Sequence, residues 1–200
     1  MNSHYGMNPL FWQRNIEALE RHDAELAHRV KNAASTDKII IGRAGDGSPL
    51  LAIPGEGGKP LALAHTGQPM GEAEKWVNGL GEELRKGAHV LLVGIGSGYH
   101  SLAFHRMLDT ESALWIVEPD LSLFKTVLQL IDLTPLITSP RVQWAVGFSE
   151  IEVARKLFTG VWEHRMRVQG IRVLFTGVSR HIYHDYIQNL GNAIREAIQM

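Results

Sequence analysis

Three glycines and one carboxylate carry the clearest chemical pattern in this chain. An apolar run (Val90, Leu91, Leu92, Val93) stops at Gly94, Gly96 and Gly98, and a second run (Leu114, Trp115, Ile116, Val117) ends on Glu118. Glycine permits a tight turn and lets a ligand approach the backbone closely. A helix beginning there presents unpaired N–H groups to polar or anionic atoms. Glu118, twenty residues beyond Gly98, is then placed to accept hydrogen bonds from two ribose hydroxyls. Tyr99 and His100 follow the turn directly, and His100 is placed to line the mouth of such a pocket. The candidate cofactor-binding residues are therefore Gly94, Gly96, Gly98, Tyr99, His100 and Glu118. The same residues also have a purely structural explanation. A tight strand-to-helix turn needs glycine, and a strand-end carboxylate can cap the next helix or bind the turn.

The spacing Gly-x-Gly-x-Gly lacks the last glycine of a dinucleotide fingerprint. It resembles the cofactor turn of class I S-adenosylmethionine-dependent methyltransferases more than a nicotinamide site. Such enzymes often place an acidic or amide side chain after the third strand, where this chain has Gly147-Phe148-Ser149. Many carry an acidic-Pro-Pro-aromatic segment after the fourth, where this chain has Phe175-Thr176-Gly177-Val178-Ser179. Methyl transfer, or nucleotide binding without chemistry, is accordingly the alternative reading. S-adenosylmethionine and a nucleotide are the cofactors left open.

Other candidates carry less. Gly55-Glu56-Gly57-Gly58 lacks the Gly-Lys-Ser/Thr ending of a phosphate loop and is followed by Lys59-Pro60, so it reads as a hairpin turn. His181, His184 and Asp185 lie about one helical turn apart, but no third distant ligand is indicated. They read as neighbours of the Tyr183, Ile187, Leu190, Ile194 stripe, and no metal is expected. No nucleophile–base pair or carboxylate pair stands out, so no catalytic residue is assigned.

The elements that position these residues follow from periodicity. Residues 8–32 read as one helix, with Trp12, Ile16, Leu19, Leu26 and Val30 on a stripe that Asp23 interrupts. Residues 38–66 hold three short apolar runs separated by glycine-rich turns, a small antiparallel meander. A helix is expected over 72–86, ending at Gly87. Strands at 90–93, 114–117, 142–146 and 171–175 then alternate with helices near 98–108, 121–131, 150–158 and 180–198. Ser149-x-x-Glu152 is a capping-box signature for the third of these helices. The expected fold is α/β: a truncated Rossmann-like parallel sheet of about four β/α units behind an N-terminal helix and meander. The expected division is 1–87 for the appendage and 88–200 for the Rossmann-like domain.

Composition narrows the class. The 200 residues are 44% hydrophobic, with a formal net charge of -1 and no cysteine. That balance implies no field for nucleic acid or an anionic membrane surface. Disulfides, thiolate metal sites and cysteine nucleophiles are excluded. The N-terminus lacks the basic-then-apolar pattern of a secretory leader, and a cytoplasmic protein is expected.

Taken in order, residues 8–147 resemble the N-terminal region of the motility-associated-factor (Maf) flagellin glycosyltransferases. The resemblance rests on Asn15, Ile16, Ala18 and Leu19, then Leu63-Ala64-His65-Thr66, Pro69 and Glu72-Ala73. It continues through Val93-Gly94-Ile95-Gly96-Ser97-Gly98-Tyr99-His100, Val117-Glu118-Pro119-Asp120 and Leu130-Ile131-Asp132-Leu133. It implies an accessory, non-catalytic domain, because the second glycine turn that opens the family's catalytic domain is absent. The full-length activity it implies is transfer of a nonulosonic acid to flagellin. The partners it implies are flagellin or the glycosyltransferase catalytic domain, with a second copy of this chain left open.

Overall fold

The computed structural model describes residues 8–36, 38–84, 86–159 and 170–199. Residues 1–7, at the head of the segment read as carrying no leader, and residue 85, inside the expected 72–86 helix, lie outside them. The chain opens with helices α1 (Pro9–His22) and α2 (Ala24–Asn32). The expected single helix over 8–32 is thus two. Asp23 has non-helical backbone (φ -152°), its N–H closes α1 on Leu19 O, and its side chain caps Leu26 N of α2. A short polar residue that competes for backbone groups does this readily.

The meander follows as β1 (Ile40–Arg43), β2 (Pro49–Pro54) and β3 (Pro60–Ala62), antiparallel in that order. Helix α3 (Pro69–Asn78) starts earlier and ends sooner than the expected 72–86 span. Pro69 suits a first helical turn, and Gly79 and Gly81 weaken continuation.

The second sheet holds β4 (His89–Val93), β5 (Ala113–Glu118), β6 (Val142–Val146) and β7 (Arg172–Phe175), all parallel in the order β6-β5-β4-β7. Helices α4 (Tyr99–Met107), α5 (Leu121–Leu130), α6 (Thr134–Ile137) and α7 (Glu150–Leu157) connect or flank the strands. The α/β architecture with a four-stranded parallel sheet is as the alternating pattern predicts. The Ser149 and Glu152 capping box is formed in full at the start of α7. The expected final helix over 180–198 is instead α8 (Gly177–Ile182) and α9 (His184–Gln199), broken at Tyr183 (φ -110°, ψ 31°). No helix among the described residues is long and apolar enough to cross a membrane.

Each sheet face has its own apolar cluster. One joins α1, α2, α4 and α5 and the meander's Leu51 to Val90, Leu92, Leu114, Ile116, Val142, Trp144 and Val146. The other joins α7 and α9 to Leu91, Val93, Trp115, Val117 and Ala145. Successive strands stepping β4 to β5 to β6 keep their helices on one side. The jump back to β7 sends the later helices to the other, because crossovers keep one hand.

Asn15 fastens α1 to this frame. It is fully buried, donates to Leu128 O (2.8 Å) and Ile131 O (2.7 Å), and accepts from Leu133 N (2.9 Å). Removing the amide strands three buried main-chain groups. Asn15→Ala is expected to lower unfolding free energy by about 3 kcal/mol in urea denaturation, with the slope unchanged. A loss under about 1 kcal/mol would refute this role.

Candidate functional site

Ligands of open α/β sheets bind beyond the carboxyl ends of the strands, where the strand order reverses. Here that point lies between β4 and β7. Gly94 leaves β4 with its N–H on Val117 O (2.7 Å) and φ of 85°. Gly96 has φ of 55°, and Gly98 is the N-cap of α4. The turn and Glu118 are brought together as the spacing predicts. Residues of the chain's own C-terminal segment lie beside them.

Helix α8 lies against the turn. A Cβ at position 94 would clash with Ser179 Oγ and sit 2.8 Å from Ser179 Cβ, with Tyr183 Cδ2 at 3.5 Å. A Cβ at position 96 would sit 2.8 Å from Leu63 O, at the end of the meander. Glycine is therefore required at both positions by close approach of the protein's own backbone and side chains. Thr176 sets α8 in place by capping Ser179 N (3.1 Å) immediately after β7. Val178 and Ile182 pack on the larger apolar cluster.

Glu118 is fully buried and has protein partners on both oxygens. Oε2 accepts from Ile95 N (2.9 Å), and Oε1 accepts from Asp120 N (2.8 Å) and from the Tyr183 hydroxyl (2.5 Å). Burial pushes its carboxyl up to about 7, against the pull of these three donors. Burial, with the neighbouring Glu118 charge, also drives the Tyr183 hydroxyl far above its ordinary range. Tyr183 thus takes one hydrogen-bonding position on this carboxylate.

Tyr99 and His100 face other neighbours. The Tyr99 hydroxyl donates to Pro49 O of β2 (2.7 Å), and burial pushes it up to about 12. His100 meets the Trp76 ring edge-on at 5.2 Å, and burial lowers its pKa. Phe148, after the third parallel strand, is covered by the Arg29 guanidinium (4.6 Å) and the Lys156 ammonium (5.1 Å). His181 and His184 fall on different helices, and His184 Nδ1 lies 3.0 Å from Asp185 Oδ1 at the surface.

Sequence reasoning missed Ser179 and Tyr183 as residues of this site. The available signal was Thr176, an N-cap type directly after an apolar strand. Starting the helix there places Ser179 within its first turn, over the strand ends.

No protein-family model matches the sequence, and no curated protein matches it. Among solved structures, it is similar to fibrillarin from Aeropyrum pernix with natively bound S-adenosyl-L-methionine. That likeness has 14% identity and a TM-score of 0.35, over 80% of this chain and 87% of that one. It is also similar to MnmC2 from Aquifex aeolicus, at 13% identity and a TM-score of 0.33, over 74% and 58%. A protein-L-isoaspartate O-methyltransferase gives 16% and 0.31, over 72% and 42%. The chain thus spans about half the length of the last two. Likenesses this distant carry no argument about activity, and none of these proteins is a flagellin glycosyltransferase.

The Glu118 arrangement has a pH signature. A carboxyl whose folded pKa is raised gives its full stability below its unfolded value near 4.5, and that stability is lost as pH rises through about 7. Replacing Tyr183 with Phe removes a donor to the anion, which raises the folded pKa further and enlarges that loss. Tyr183→Phe is expected to cost about 2 kcal/mol at pH 8 and about 1 kcal/mol or less at pH 5, read by urea unfolding at both. An equal cost at the two pH values would show that the hydroxyl does not serve the carboxylate.

Proposed function

We propose that this chain is a non-catalytic Rossmann-like domain whose cofactor crevice is given over to internal packing. It serves as an accessory domain in a flagellin glycosyltransferase system. One observation supports the non-catalytic part above others: α8 and the residue after it lie at the switch point, with Ser179 on Gly94 and Tyr183 on Glu118. A nucleoside entering there must displace a helix and strip a buried carboxylate of a donor. The glycosyltransferase part rests on the ordered sequence resemblance alone. Transfer of a nonulosonic acid is not assigned to this chain.

A second reading, binding of S-adenosylmethionine or a nucleotide with α8 displaced, is favoured by the intact turn and by Glu118 at the end of β5. The comparisons lean toward this side in kind, though too weakly to argue from.

Thermal shift of the purified chain with S-adenosylhomocysteine, S-adenosylmethionine, NAD, CMP and CMP-linked sugars separates the two. A ligand at 100 times its dissociation constant adds about 2.7 kcal/mol, so saturable binding is visible. No shift is expected with any of them. A shift with S-adenosylhomocysteine that vanishes in Glu118→Ala would overturn the proposal in favour of a methyltransferase. A shift with CMP species would make the chain a nucleotide module. The partner half is tested with purified flagellin and with an isolated Maf catalytic domain on a biosensor. Binding of either supports the accessory role, and binding of neither removes it.

A further inference from the structure

Helix α8 (Gly177–Ile182) has six residues, too few to be stable without tertiary contacts. Gly177, Arg180 and His181 are exposed, and Val178 and Ile182 are half-buried. Its inner side touches the glycine turn through Ser179, which is buried and leaves no room for a Cβ at position 94. The chain then leaves the helical conformation at Tyr183 before α9 begins. At one end α8 is fastened by Thr176, which caps it directly after β7. At the other end the Tyr183 hydroxyl reaches from the break to Glu118 of β5.

The groups that face Glu118 are donors and acids, with no cation among the described residues. The turn offers Ile95 N–H, and the entry to α5 offers Asp120 N–H with the Asp120 carboxylate beside it. The break offers Tyr183, whose ring lies 6.4 Å from that of Tyr186 on α9. Glu150 and Glu152 of α7 act on Tyr186 from the far side. A buried anion without a counter-ion is costly even when hydrogen-bonded, whereas a protonated carboxyl in the same place is not. Water is the remaining source of stabilisation for the anion, and the short helix ending at Tyr183 is the part of its wall held by the fewest residues.

We propose that the contact of Tyr183 with Glu118 is a latch operated by pH. When Glu118 loses its proton to solvent, α8 lifts from the glycine turn and unwinds, and when the proton returns it is seated again. Linkage gives the direction. Seated, the carboxyl is pushed up to about 7 by burial; lifted, it is hydrated and returns toward its ordinary value near 4.5. A value raised in the seated form favours that form fully below about 4.5, and the preference is lost as pH rises through about 7. With these two values the ratio of lifted to seated α8 rises about 70-fold between pH 5 and pH 8. Lifting is local, because α9 keeps Leu190 and Ile194 in the second core. This inference does not depend on whether the glycine turn takes a ligand.

The test is amide hydrogen exchange of the full chain at pH 5 and pH 8, corrected for the intrinsic pH dependence of exchange. The Arg180 and Tyr183 N–H groups, bonded to Thr176 O (2.9 Å) and Ser179 O (2.8 Å), report the seating of α8. Leu92, paired on both sides within the parallel sheet, reports global unfolding. Arg180 and Tyr183 are expected to exchange faster than Leu92 at both pH values. Their opening is expected to rise about tenfold or more from pH 5 to pH 8, and Glu118→Gln to remove that rise. A smaller rise, a rise that Glu118→Gln retains, or exchange of all three amides at one rate would overturn the proposal. Tyr183→Phe keeps the ring and supplies a second reading should Glu118→Gln not fold. With one donor to the anion lost, its rise is expected to exceed that of the unaltered chain; an equal or smaller rise would count against the latch as decisively.

Discussion

A carboxylate buried at the carboxyl end of β5 holds the strand-end side of this molecule together. Glu118 joins three segments distant in sequence: the glycine turn through Ile95 N, the entry to α5 through Asp120 N, and the C-terminal helices through the Tyr183 hydroxyl. A charge without water is tolerable only when hydrogen-bonded. Each of the three donors is thereby constrained, and so is the position of the element that carries it.

That constraint explains the break between α8 and α9. A single straight helix over these residues could not lie across the strand ends and also cover the face formed by Leu91, Val93 and Val117. The kink at Tyr183 allows both. The residue that interrupts the helix also reaches Glu118, while Leu190 and Ile194 of α9 pack on the opposite face. The contact with Glu118 and completion of the second core are thus one event in the chain path.

The N-terminal segments contribute to the same end of the sheet. Leu63 O approaches Gly96, Ser97 Oγ accepts from Leu51 N (3.3 Å), and Tyr99 reaches Pro49 O. The glycine turn is therefore enclosed by the meander on one side and α8 on the other. Tyr99 joins the turn to β2, and His100, read from sequence as lining a pocket mouth, also meets Trp76 across the α3–α4 contact.

Much of this architecture was legible in the chain because its causes are local. Apolar runs alternating with amphipathic stretches specify parallel strands and their helices, and Ser149 with Glu152 marks a helix start by chemistry within four residues. Gly94, Gly96, Gly98 and Glu118 were identifiable for the same reason. Helix ends were less so: Asp23, Gly79 and Tyr183 divide or end patterns that periodicity alone runs through. The occupant of the crevice was beyond local reading. A turn that must admit a ligand and a turn that must admit its own chain both demand glycine, because each needs backbone approach without a Cβ. What stands beside the turn was decided only by the tertiary structure, which brings Tyr183 to a carboxylate 65 residues away in sequence.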